Sequence, residues 1–186
     1  MIEATASTIT EANYPEYEEL TTYTRYGINL HPIWLAAYLE SFGYENKELI
    51  LEARDRNSGK LCGLLPLLRK DEQTSRLLKH RRLVPLGYRP TDFFDIPSVP
   101  GMEIEVARAF AEWLRTNYRL WDSLIINFIP YESTSWQPLV EHLIKEGLTP
   151  EVATDKGYLK IDTTKSYDEY LKDLGTEKQK DRKSVV

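Results

Sequence analysis

Apolar residues recur at helical spacing in several separated stretches of this chain. Between Pro32 and Phe42 the repeat is Trp34, Leu35, Tyr38, Leu39 and Phe42, which predicts a helix with one buried face. Pro32 suits its first turn and Gly43 its stop. Val106, Ala107, Phe110, Trp113 and Leu114 mark a helix over 103–116. Trp136, Leu139, Val140, Leu143 and Ile144 mark another over 135–146, closed by Gly147. Trp34, Trp113 and Trp136 read as core. Near the end, Ser166 and Glu169 have capping-box spacing and open a helix with Tyr167, Tyr170, Leu171 and Leu174.

Strand patterns lie between these helices. Residues 48–54 and 61–69 flank Asp55-Arg56-Asn57-Ser58-Gly59-Lys60, and this turn chemistry predicts a hairpin. The second strand, LCGLLPLL, is apolar on both faces, as a doubly covered strand would be. Pro66 in it predicts a bulge or an edge position. Leu83, Val84 and Leu86, residues 123–129 and residues 157–161 complete the strand set. Residues 71–81 read as a polar, basic connector, and 20–26 as either a strand or a short helix. Residues 1–20, acidic and without Lys or Arg, read as a partly disordered tail.

The chemistry concentrates in Arg82 to Gly101, RLVPLGYRPTDFFDIPSVPG. Pro85, Pro90, Pro97 and Pro100 keep this stretch out of helix. It carries Tyr88, Arg89, Asp92, Phe93 and Asp95 at the end of a strand, where ligand contacts often sit. Tyr88 and Arg89 could hold an anionic group by stacking and a bidentate guanidinium. Asp92 and Asp95 could grip polar substrate groups, or cap the following turn. Asp92 would act as a base only if the adjacent rings raised its pKa. His31 reads as a helix-start residue or a substrate contact, and Cys62 as core.

Composition narrows the classes. The 186 residues suffice for one domain, and 41% hydrophobic with 28% charged content is that of a soluble globular protein. One cysteine and three histidines exclude an internal disulfide and argue against a structural zinc site. The net charge of −5 argues against general nucleic-acid binding, despite basic clusters at 76–82 and 178–183. The longest apolar run is too short for a transmembrane segment. Met1 is followed by acidic and small polar residues, so no secretory signal is expected and the cytoplasm is the natural compartment.

Four sequence words resemble the CelD-like acetyltransferases, a branch of the GNAT superfamily related to the Fem-type acyltransferases. They are His31-Pro32-Ile33-Trp34-Leu35, Gly63-Leu64-Leu65-Pro66-Leu67, Leu86-Gly87 followed by Asp92-Phe93-Phe94-Asp95, and Tyr167-x-x-Tyr170-Leu171 before a basic stretch. The resemblance spans about residues 30 to 186. It implies an α/β unit with a GNAT-like mixed, mostly antiparallel twisted sheet flanked by helices, over 21–175. Residues 176–186 would then begin a basic linker helix to a second, missing C-terminal GNAT domain. It also implies acetyl-CoA or another acyl-CoA as donor, held in that second domain, and an amine or sugar acceptor held by this half. The glycine-rich pyrophosphate turn of acyl-CoA binders, R/Q-x-x-G-x-G/A, is absent from this sequence. A non-catalytic scaffold or ligand-binding module is the alternative.

Overall fold

The computed structural model describes residues 1–44, 47–73, 79–87, 93–130, 132–151, 166, 168–169 and 172. Met1–Pro150 form one compact unit and Glu151–Val186 a second. In the second, Glu169 Oε2 accepts from Ser166 N (2.9 Å) and Ser166 Oγ (2.8 Å), and Glu169 N donates back to Ser166 Oγ (3.3 Å). The capping box is therefore formed as its spacing predicts. The expected strand at 157–161, the stripe of Tyr167, Tyr170, Leu171 and Leu174, and the basic stretch 176–186 lie outside the described residues.

The first unit is mixed α/β, with a mostly antiparallel sheet flanked by helices. Its strands are β1 (Ile2–Ser7), β2 (Glu48–Asp55), β3 (Leu61–Gln73), β4 (Lys79–Pro85) and β5 (Ser123–Leu124). They lie in sequence order, antiparallel from β1 to β4, with β5 parallel to β4. Helix α1 (Tyr14–Thr21) and α2 (Pro32–Phe42) precede β2, α3 (Glu103–Thr116) precedes β5, and α4 (Trp136–Lys145) follows it. None of these helices is long and apolar enough to cross a membrane.

Strand alternation sorts the core into two layers. Ile50, Leu64, Leu68, Val84 and Leu86 pack with Tyr17, Leu20, Leu35, Tyr38 and Leu39 of α1 and α2. Leu51, Ala53, Leu65, Leu67 and Leu83 pack with Val106, Phe110 and Leu114 of α3 and with Leu139 and Leu143 of α4. Gly63 marks the closest approach on the second side. A Cβ there would stand 2.2 Å from Val106 Cγ1, so only glycine lets α3 lie this close.

Four expectations need correction. Residues 2–7 are not a loose tail but edge strand β1, because Ile2, Ala4 and Ala6 give an alternation that pairs with Asp55, Ala53 and Leu51. Residues 71–73 and 79–81 are not a connector: β3 and β4 extend past the core as a charged hairpin, where solvated side chains hide the strand pattern. Pro66 marks neither an edge nor a bulge, since β3 is flanked by β2 and β4. Leu86 N donates to Pro66 O (3.0 Å), so Pro66 directs its backbone groups toward the end of β4. Its missing N–H falls where that ladder stops. The register shift lies instead near Cys62, between Ala53↔Gly63 and Arg54↔Leu61. Fourth, residues 20–26 form neither a strand nor their own helix: α1 ends at Thr21 and a turn follows.

A polar knot lies under α1. Glu52, buried on β2, accepts from Tyr17 OH (2.5 Å) and Arg54 Nε (2.7 Å). Arg54 also holds Glu16 through two nitrogens, at 3.1 and 2.7 Å. Burial, then the Glu52 bond, pushes the Tyr17 hydroxyl well above its ordinary pKa. The knot anchors α1 to the sheet.

Candidate functional site: the break in the fourth strand

Parallel β4 and β5 pair only at Arg82↔Ser123 and Leu83↔Leu124. The junction is riveted from the side. Arg81 N, Nε and Nη2 donate to the Asp122 carboxylate at 2.8, 3.0 and 2.8 Å, and Arg81 Nη1 reaches Arg119 O. These bonds hold the Asp122 carboxyl well below the usual range. After Ile125 N donates to Leu83 O (2.9 Å) the two strands separate. The expected strand over 123–129 thus shrinks to two residues. Pro85 accounts for the early stop, since the next rung would need an N–H from residue 85 and proline has none. Farther on, Phe128 takes φ 60°, a left-handed conformation that a bulky residue rarely adopts.

The partner strand breaks as well. The chain leaves the β4 lane at Gly87 (φ 83°) and returns beside β3 farther on. Leu64 N donates to Pro97 O (3.0 Å), Val99 N to Cys62 O (2.8 Å), and Gly63 bridges Ser98. Residues 97–99 therefore resume the lane that β4 vacates. The interruption lies at the carboxyl ends of a parallel pair, a common place for ligand crevices in open α/β sheets.

The returning limb is tightly held. Phe94 is buried in the core and its N–H donates to Phe128 O (3.0 Å). Phe93 packs against Tyr26 with the rings tilted by 32° and 4.5 Å between centroids, and its carbonyl accepts from Asn29 Nδ2 (3.2 Å). Asp95 Oδ2 accepts from Thr24 Oγ1 (2.5 Å), while Oδ1 accepts from Ser133 Oγ (2.6 Å) and from Ile96 N (2.8 Å). Ser98 and Ser135 hydroxyls meet at 3.2 Å. Asp95 thus joins the turn after α1, the returning limb and the loop before α4.

Of the residues singled out in the sequence, Phe93 and Asp95 come together in this cluster. Asp95 engages neighbouring side chains and its own following amide. Tyr88, Arg89 and Asp92 lie outside the described residues. His31 is elsewhere: it caps α2, Nδ1 accepting from Ile33 N (3.3 Å), with Glu18 3.6 Å from Nε2. Cys62 is buried and its thiol is pushed up by burial. Sequence reasoning missed Thr24, Tyr26, Asn29 and Ser133. Thr24 meets an aspartate 71 positions away, which no local pattern announces.

The amino end of α3 does not fit a diphosphate cradle for an acyl-CoA. Its N-cap, Met102, makes no side-chain cap, and the first turn carries Glu103 and Glu105. Those carboxylates already complement the helix dipole and would repel a diphosphate. Among the described residues, no group of three His, Cys, Asp or Glu side chains is placed to hold a metal ion.

No family model matches the chain, and no curated protein matches its sequence. Solved structures do. Glucosamine-6-phosphate N-acetyltransferase from Arabidopsis thaliana is 13% identical at TM-score 0.49, covering 86% of this chain and 99% of that one. A transcriptional regulator from Bacillus halodurans C-125 is 9% identical at 0.49, covering 86% and 100%. Ribosomal-protein-alanine N-acetyltransferase from Brucella melitensis biovar Abortus 2308 is 17% identical at 0.47, covering 87% and 99%. At these identities and TM-scores, the likenesses assign neither family nor activity to this chain.

Proposed function

We propose that this chain is the acceptor-side part of a GNAT-type acyltransferase, moving an acyl or aminoacyl group to an amine on a sugar or cell-envelope precursor. The observation that carries the reading is the interrupted β4 lane. The lane breaks beside a parallel strand pair, and the limb that returns to it is pinned through Asp95. Three of the resemblance words support it: His31-Pro32 opens α2, Gly63 admits α3 against β3, and Phe93, Phe94 and Asp95 lie in the pinned limb.

In this reading Asp92 and Tyr88 hold the acceptor amine and hydroxyls, and Arg89 takes any anionic group. Their contribution is orientation of the nucleophile, which requires no covalent step by the protein. Asp95 positions them. An acyl-CoA would supply the activated thioester when bound, and we assign it to a further, C-terminal GNAT domain entered through the basic stretch from Lys178, because the acidic first turn of α3 is unsuited to a diphosphate.

Calorimetric titration of acetyl-CoA into these 186 residues tests the division of labour. No saturable heat is expected, and tight binding would contradict it. Asp92→Asn in the active enzyme is expected to lower acyl transfer with folding intact; unchanged turnover would favour a non-catalytic scaffold. The full engagement of Asp95 is the observation on the scaffold side.

A further inference from the structure

Helix α2 reads PIWLAAYLESF, apolar through its first turns on more than the side that meets the sheet. Leu35, Tyr38 and Leu39 face inward and are buried. The first turn of α2 and the turn before it expose Ile28 at 77%, Ile33 at 62% and Trp34 at 40%, whereas Phe42, at the far end of the inward stripe, packs against Tyr38 and Tyr44. The sequence pattern had assigned Trp34 and Phe42 to the core. Clustered exposed apolar side chains mark contact surfaces.

The charges beside it select what covers it. Neither α1 nor α2 contains Lys or Arg, while together they carry Glu16, Glu18, Glu19 and Glu40. Glu16 is matched by Arg54, and Glu19 has Lys60 at 3.9 Å. Glu18 stands exposed near the start of α2 and Glu40 is exposed toward its end. A second copy docked through a two-fold axis would bring these carboxylates against carboxylates. An anionic lipid surface would be repelled in the same way. From the bare apolar face and this acidic flank we infer that α2 is a docking site for an amphipathic helix of a partner protein, one with an apolar stripe flanked by lysines or arginines.

The probe is a designed 14-residue helix of leucine and lysine, with a leucine–glutamate helix of the same apolar pattern as control. Each is titrated calorimetrically into the whole chain. Saturable binding is expected for the leucine–lysine helix alone, weaker as salt rises. Ile33→Ser/Trp34→Ser is expected to weaken it at least tenfold, with helix content checked by circular dichroism. Glu18→Gln/Glu40→Gln, which leaves the apolar face intact, is expected to weaken it and flatten its salt dependence. Absence of binding, equal binding of both helices, or binding indifferent to either variant would overturn the inference. Sedimentation is expected to give a monomer. A dimer abolished by Ile33→Ser/Trp34→Ser would assign the face to a second copy, and retention on phosphatidylserine vesicles would assign it to a membrane; either result overturns the proposal.

Discussion

Gly63 is the residue on which the spacing of two layers depends. Alanine there must displace Val106 or the helix carrying it, because the new methyl would sit 2.2 Å from a fully buried Cγ. Gly63→Ala is expected to lower stability by about 1–3 kcal/mol, read from urea unfolding. Gly63→Ala/Val106→Ala should cost less than the two single losses added, since the second change removes the clash made by the first. At Asp55 the same measurement should depend on pH. The Ser58 amide, followed by the amino-terminal ammonium, holds this carboxyl down to about 2 against an ordinary 3.8. A folded-state value below the unfolded one means the stabilisation is complete above the ordinary value and is lost as pH falls toward 2. Asp55→Asn should therefore lower the urea midpoint at neutral pH, and the gap to the parent should close as the pH approaches 2.

Elements whose two neighbours in sequence share one environment were legible. Helices α2 and α3 begin and end where apolar spacing and Gly43 place them, and the β2–β3 turn follows from Asp55 accepting the amides of Asn57 and Ser58. Elements whose surroundings change partway were not. Strand β3 is apolar to Leu68 and charged to Gln73, so its second half reads as loop although both halves are paired. Strand β5 shows the opposite failure: Ile125, Ile126, Phe128 and Ile129 read as a buried run, yet the ladder ends at Leu124 and Phe128 is half exposed. What keeps so short a strand in place is Arg81. Arg81→Ala is expected to release it, read as faster amide exchange at Ile125, while the amides of β2 keep their protection.

At the scale of the whole molecule, Phe93 and Asp95 were visible as letters and their roles were not. Asp95 stood out in the sequence as a substrate contact, but its partners Thr24 and Ser133 come from turns on either side of the fold. Such a role is written in three distant segments at once, so no window of sequence contains it. The outward side of α2 was misread for a related reason. Periodicity tells how apolar a helix is and which residues share a face, but a face without a covering layer has the same letters as one with it.

The chain quits the sheet at Gly87 and re-enters the same lane at Pro97. Residues inserted, removed or exchanged between Gly87 and Phe93 would change no rung of the ladder on either side, while Phe94, Asp95 and Ile96 stay tied into the core. A family of proteins built on this plan could therefore rewrite what it recognises at this spot while its architecture stays untouched, and divergence should gather in the detour long before it reaches the strands.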